Sequence, residues 1–468
     1  MFDEIRKTTF TNHDTGAGQG TIMVLGQRQN VKGRLTDQGR KEAKETRKIG
    51  ACERCRRSRK KCNICKSGLY MSCPECLNAS PRTSIFICCR SQVKEVKLFR
   101  ERPMAGSPLD STSRREVFVV KDIDTIPHET RTIELTQDVG NRKITITASK
   151  YQPRIGEKTA LEWHDTQGDL HDFPMPPYGL ENVEAAKISV EHYMRKSRDE
   201  YIDSITQNAS PLTRKLVEMV RMYIKDHQNS TVEMAVKIWA ATRLTERPWR
   251  ITGDETLGMK PISDSTSPDL DTIPVTPMMD TQLDQIAINH ILYPAQTELL
   301  HTLQDRMQHP ERKQWFENFL TLFILLSSIE ASSVHGEKFA RDFGLRTRYA
   351  DMTEFESYFH GCQILLTHFH MACKGSAPFE LDWTSPESDK LAELTQGEKK
   401  FLQELKELVA GESATFNDLK SGHRYASHLY WGHQLFEPQW KAKKVKIEEE
   451  VGGLRPDALG PFAVAAAA

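Results

Sequence analysis

Eight of the ten cysteines stand between residues 52 and 89, in the run CERCRRSRKKCNICKSGLYMSCPECLNASPRTSIFICC; only Cys362 and Cys373 lie elsewhere. In a reducing cell interior, repeated C-x2-C pairs are metal ligands before they are disulfides. Zinc takes thiolates in a tetrahedral array, and a C-x2-C turn brings two sulfurs to one ion while the N–H groups of the turn orient them. Cys52, Cys55 and Cys62 form a C-x2-C-x6-C unit, followed by Cys73-x2-Cys76 and, after a longer interval, Cys88 and Cys89. Six cysteines hold two zinc ions if two thiolates are shared. Eight cysteines, with Cys65 included, also form four pairs, which allows two separate four-cysteine sites instead.

The residues between Cys55 and Cys62 read RRSRKK, with Arg56, Arg57, Arg59, Lys60 and Lys61 as cations. A short cationic helix neutralises phosphates, and one Arg or Lys reaching a guanine O6/N7 pair reads sequence. The alternative is that these cations form only a nuclear-import signal or a solvated face. Residues 31–103 hold 20 Lys and Arg against 7 Asp and Glu, and because the whole chain has 64 of each kind, 44 against 57 remain for the rest. A basic segment is joined to an acidic body, which predicts a polyanionic partner for the first and none for the second.

The segment CERCRRSRKKC, preceded by RKIGA and followed by a second CxxC and a Cys–Arg pair, resembles the fungal binuclear zinc-cluster transcription factors. The resemblance covers roughly fifty residues. It implies one cluster of two Zn2+ ions held by Cys52, Cys55, Cys62, Cys73, Cys76 and Cys89, with Cys52 and Cys73 in the bridging places and Cys88 and Cys65 as alternative ligands. Cys89 takes the sixth place because it precedes Arg90. The resemblance further implies that RRSRKK forms the helix entering the major groove, with Arg59 as base reader and Arg56, Arg57, Lys60 and Lys61 mainly on phosphates, and half-sites of CGG type. Three departures stand against it: the extra Cys65, Asn63 in place of an acid, and the long interval from Cys76. WFENFLTLFILLSSIE, LLTHFHMACKGSAPFELDW and HLYWGHQLF look like parts of the helical region of one subgroup of these regulators.

The elements that must carry this segment follow from periodicity. Residues 1–30 lack an apolar period and read as a flexible lead-in; residues 31–50 form a basic, helix-tolerant arm with Thr36 or Asp37 as N-cap. The cluster occupies residues 51–103, and a linker with a β-hairpin occupies residues 104–180. In it Ile133 and Leu135 alternate against Ile144 and Ile146 across a Gly-Asn turn, with VFVV as a further strand and HDFPMPPYG as a break. Leu212, Leu216, Met219, Val220 and Ile224 give residues 181–247 a helical period. Gly, Pro, Ser and Asp make 248–280 a loop. Residues 281–440 form a helical regulatory region around WFENFLTLFILL, and 441–468 a disordered tail. The fold class expected is multidomain: a small zinc-stabilised N-terminal cluster, a short β-hairpin region and a mainly α-helical C-terminal body.

Other chemistries find little footing. Phosphate-loop, dinucleotide and nucleophile-elbow motifs are missing from the sequence, so no enzyme is expected. His360, His368 and His370 near Cys362 and Cys373 read as buried helical residues, not a second metal site. The longest apolar run, FLTLFILL at 319–326, is too short to span a bilayer, and MFDEIRKTTF is no secretory signal. FELDWTSPESD, 379–389, is either a coactivator-binding acidic segment or an ordered loop, and KAKKVK, 441–446, either a second import signal or a solvated helix end. A heptad series after the cysteines is lacking, so the oligomeric state stays open. The whole predicts a nuclear, sequence-specific regulator of RNA polymerase II transcription that binds double-stranded DNA and coactivators or corepressors. The alternative is a zinc-stabilised module with two four-cysteine sites that binds proteins, or nucleic acid without sequence preference.

Overall fold

The computed structural model describes residues 36–62, 73–78 and 88–101 and, with short gaps, 125–445. The lead-in, VFVV, Cys65, the linker after residue 101 and most of the tail lie outside the described residues. Two compact units divide the chain, Met1–Ile49 and Gly50–Ala468. In the first, α1 (Asp37–Ile49) starts where the Thr36 hydroxyl accepts from the Gly39 N–H at 3.1 Å, so Thr36 is the cap of this arm.

The second unit opens with two short helices, α2 (Glu53–Arg57) and α3 (Pro74–Leu77). A four-stranded antiparallel sheet follows, ordered β5-β2-β1-β6 from β1 (Thr125–Thr136), β2 (Ile144–Tyr151), β5 (Tyr178–Leu180) and β6 (Arg250–Thr252). The alternation read from the sequence sets its register: Ile133 faces Ile146 and Leu135 faces Ile144, all four buried. A period of two puts these residues on one face of the ribbon. The sheet is larger than a hairpin. HDFPMPPYG is not a plain break: it supplies most of β4 (Leu170–Pro174), which pairs with β3 (Ala160–His164) in a separate two-stranded sheet, and runs into β5 of the first sheet. Its prolines fall at strand ends and in the connection, where a missing N–H is tolerated. Likewise the loop at 248–280 contributes β6 to the sheet edge.

Among the described residues nine further helices form the rest: α4 (Val183–Thr206), α5 (Pro211–Asp226), α6 (Thr231–Leu244), α7 (Pro277–Gln285), α8 (Tyr293–Gln308), α9 (Trp315–Asp342), α10 (Met352–Ala372), α11 (Gln396–Gly411) and α12 (Ser413–Ser421). Between α7 and α8 the chain takes a π turn over Ile286–Leu292, just ahead of Pro294, whose ring and absent N–H disfavour an ordinary helical bond. The centre is α9. The stretch Arg312–Asp342 is long and apolar enough to cross a bilayer, yet 83% of its apolar window is buried inside the protein, between α6 and α10. Glu330 on this helix is itself buried and accepts the N–H groups of Leu429, Trp431 and Gly432 at 2.9, 2.7 and 2.9 Å, which fastens HLYWGHQLF to the core. In the same way FELDWTSPESD turns its aromatics inward. Phe379 and Trp383 are buried, Trp383 lies 5.6 Å from Trp315, and its indole donates to the Pro378 carbonyl at 2.8 Å.

The cysteine segment and the helical body share the second unit, although their compositions part at residue 103. The reason is the strap of residues 91–101 that leaves the cysteines. Its Val93, Val96, Leu98 and Phe99 are at most 3% exposed, each contributing roughly 1.5–3 kcal/mol by leaving water. Two glutamines eight residues apart on α8 satisfy its backbone, the Val93 N–H donating to Gln304 at 2.6 Å and the Leu98 N–H to Gln296 at 3.1 Å. On the α10 side it crosses Gly361, where a Cβ would stand 2.9 Å from Val96 and 3.3 Å from the Lys97 carbonyl. Only glycine leaves room for this crossing. Arg100 ends the strap on Asp284 at 2.5 Å and on the Thr245 carbonyl at 2.8 Å.

Candidate metal centre and basic face

Two alike turns position the sulfurs. Cys52 and Cys73 are the residues before α2 and α3, with nearly equal backbone angles (φ −62°, ψ 153° and φ −67°, ψ 154°). Three residues on, one turn of helix returns Cys55 and Cys76 toward them, and Pro74 at the first helical position fits the second turn. The likeness extends to the backbone donors: the Cys52 N–H points to the Cys62 sulfur at 3.4 Å and the Cys73 N–H to the Cys88 sulfur at 3.3 Å.

These turns gather two groups of four sulfurs, each within 4.8 Å: Cys52, Cys55, Cys62 and Cys73, and Cys52, Cys73, Cys76 and Cys88. Cys52 and Cys73 belong to both. Tetrahedral zinc with bonds of about 2.3 Å has sulfur–sulfur edges of about 3.8 Å. The Cys52–Cys73, Cys52–Cys76 and Cys55–Cys73 separations are 3.9, 3.6 and 3.7 Å, and none of these cysteines is in a disulfide. The donor set therefore fits two metal ions with two shared ligands, an arrangement that two separate four-cysteine sites would not produce. Among the described residues no other His, Cys, Asp or Glu group has ligand spacing.

Electrostatics point the same way. Burial pushes the Cys55 and Cys73 thiols up, and a hydrogen bond with Cys88, together with burial, does the same to Cys52. That bond draws Cys88 down to about 5, helped by its backbone donor and by the Arg90 cation. So many sulfurs cannot all be thiolates without nearby positive charge. Arg90 supplies some, its two terminal nitrogens donating to Cys88 and Cys62 at 3.8 Å, one sulfur from each group.

The sulfur completing the second group is that of Cys88, whereas the sequence favoured Cys89. Cys89 belongs to neither group; its thiol is turned to the Ser91 carbonyl at 3.5 Å and burial holds it up at about 11. Adjacent residues in extended chain point to opposite sides, so only one of the pair can face the cluster. Cys65 lies outside the described residues.

The basic run is helical only at Arg56 and Arg57. A turn at Ser58 and Arg59, the latter at φ 50°, ends α2, and Lys60 and Lys61 continue outward. Arg56, Arg59, Lys60 and Lys61 are exposed, and among the described residues Arg59 and Lys60 pair with no acid. Arg57 differs. Its guanidinium meets Glu53 at 2.9 Å and donates to the Met307 carbonyl at the end of α8 at 2.5 Å. Glu53, buried to 2% exposure, also pairs with Arg56 at 3.0 Å, and its own N–H donates to the Cys89 carbonyl at 2.8 Å. Glu53 and Arg90 support the site without being among the candidate residues that the motifs single out. Their signal was the E-x-x-R-R spacing, which sets both arginines one turn from the acid, and a cation next to the last cysteine.

Far from gathering a second metal site, the histidines go separate ways. His368 meets the Ser91 carbonyl at 3.0 Å and so holds the strap, whereas His370 meets the Gln434 carbonyl at 2.9 Å and stacks on Trp440. Burial lowers both from their ordinary range, and Cys362 is fully buried.

Residues 99–435 match the family model of the KpeA transcription factor, a range that begins inside the strap and takes in nearly the whole body. The satratoxin biosynthesis SC3 cluster transcription factor SAT20 of Stachybotrys chartarum is 23% identical over 436 residues, covering 88% of this chain. The chain spans 58% of the length of that relative. Among solved structures none matches. A match across well over half of the chain shows the family, and the protein belongs to the KpeA transcription factors.

Proposed function

We propose that this transcription factor is a sequence-specific DNA reader of the nucleus that regulates RNA polymerase II transcription through a two-zinc cluster. The observation that carries the reading is the pair of four-sulfur groups sharing Cys52 and Cys73 beside an exposed cationic turn. Cys52, Cys55, Cys62, Cys73, Cys76 and Cys88 would hold the ions. Zinc supplies there the positive charge that lets crowded sulfurs ionise and the crosslinks that fix helices too short to persist alone.

The cations act at two levels. Arg56, Lys60 and Lys61 neutralise phosphates, which gives affinity and a salt dependence but no selectivity. Arg59, at the exposed tip of the turn, is the base reader, and a bidentate contact to guanine gives about 1–3 kcal/mol of discrimination. Coactivators or corepressors would meet the helical body.

The test is selection of bound duplexes from random DNA by the zinc-loaded chain, beside Arg59→Ala, Cys65→Ser and a chelated sample. An enriched motif that disappears with chelator, changes with Arg59→Ala and survives Cys65→Ser supports the reading. Tight but unselective binding, or loss of metal on changing Cys65, would replace it by a zinc-stabilised interaction module.

A further inference from the structure

The cations of the basic run are not equivalent, and the strap that follows the cysteines is not a loose tether. Arg57 turns back toward the protein: its guanidinium bridges the buried Glu53 carboxylate and the Met307 carbonyl at the C-terminal end of α8. A helix end presents carbonyls without intrahelical partners and carries partial negative charge, so a guanidinium there satisfies both needs. One turn earlier on the same helix, Gln304 takes the Val93 N–H, and from α10 His368 takes the Ser91 carbonyl. Gly361 is bare where the strap crosses. Contacts from α2, from the residues after Cys89 and from both flanking helices thus converge on one seam between cluster and body.

We propose that this seam docks the cysteine cluster on the helical body in one orientation, and that Arg57 is a positioning residue of the seam and not a phosphate contact. The second half rests on the DNA-reading function proposed above; the first half does not. The body then fixes where Arg56, Arg59, Lys60 and Lys61 point. A reader on a free tether could turn to any half-site orientation, whereas a docked one offers its cations in a single direction relative to the body.

Two readouts on the full zinc-loaded chain separate the halves. In a salt titration of duplex binding, each lost phosphate contact lowers the slope of log affinity against log salt by about 0.9. Lys60→Ala is expected to lower it by that amount, and Arg57→Ala to leave it unchanged. In amide hydrogen exchange without DNA, Arg57→Ala and Gln304→Ala are each expected to speed exchange at Val93 by about tenfold or more, with zinc content retained. Arg57→Lys, which keeps the charge but loses the planar fork, should resemble Arg57→Ala in exchange. A slope lowered equally by Arg57→Ala and Lys60→Ala overturns the positioning role. Unchanged Val93 exchange in both Arg57→Ala and Gln304→Ala overturns the docking. A chain that selects no duplex defeats the DNA-reading function, and the exchange result then decides the seam alone. Gln304→Ala stands on the body side, so it still tests the seam if Arg57→Ala fails to hold zinc.

Discussion

The cysteine cluster and the helical body satisfy the same requirement by opposite means. In the body, α9 runs for 28 residues with apolar side chains buried nearly all round, so release of water from its surface offsets the chain entropy that folding removes. In the cluster, α2 and α3 have 5 and 4 residues, against the ~12–15 an isolated helix needs, and the buried groups at its centre are thiols. Packing of that extent cannot hold such turns; bonds from sulfur to metal can. The body should therefore tolerate loss of metal and suffer from cavities, while the cluster should do the reverse.

The largest effect should come from the shared sulfurs. Cys52→Ser or Cys73→Ser removes a sulfur from both groups, whereas Cys76→Ser removes one from a single group. Structural zinc contributes on the order of 10–16 kcal/mol to small domains of this kind. Metal analysis should find both ions lost in the first two variants and one retained in the third, with the far-UV helical signal of the body kept in all. Collapse of that helical signal on chelation would break the comparison, because the body would then depend on the metal for more than its seam.

The converse experiment is Phe319→Ala. Phe319 is fully buried and its ring lies 5.9, 4.9 and 5.9 Å from those of Trp315, Phe379 and Phe436. The cavity should cost about 3–5 kcal/mol in denaturant unfolding of the body. Zinc content should not change. Loss of metal in this variant would show that cluster and body unfold as one cooperative unit.

The two regions also differ in how far the sequence discloses them. Sulfur geometry is local: a C-x2-C pair brings two sulfurs together on any backbone, so the gathering of these cysteines could be read from spacing, and the place of Cys52 and Cys73 in both groups from the resemblance. The choice of Cys88 over Cys89 could not, since it depends on which neighbour the extended chain turns inward. Ile133, Leu135, Ile144 and Ile146 disclosed β1 and β2 because alternation is a pattern of the strand itself. β5 and β6, three residues each, exist only because the sheet edge is there to pair with them, and no local pattern marks them. The strap was equally hidden. Its apolar residues fall in a charged stretch, and the partners that bury it, Gln296, Gln304, Gly361 and His368, are some two hundred residues or more away in sequence.

The finest test falls within the body, on the most deeply buried carboxylate of α9. Burial raises the Glu330 carboxyl from its ordinary 4.5 to about 7, against the pull of the three N–H donors. A raised acid holds its proton longer in the folded state, so between those two values the folded chain binds more protons than the unfolded one. Stability therefore falls as pH rises through that window, by up to ~3 kcal/mol for this group. Glu330→Gln cannot titrate. Its amide still accepts from Trp431 and Gly432 but sets an NH2 against the Leu429 N–H, a cost of about 1–3 kcal/mol that does not vary with pH. The difference between the two proteins is thus the measure. His428, 3.7 Å away and lowered to about 4, destabilises on acidification but is common to both. In melts from pH 5 to pH 8, the wild-type chain should lose ground steadily to Glu330→Gln as pH rises. A difference that stays flat would mean that the three N–H groups hold Glu330 ionised throughout this range, against the burial of its carboxylate.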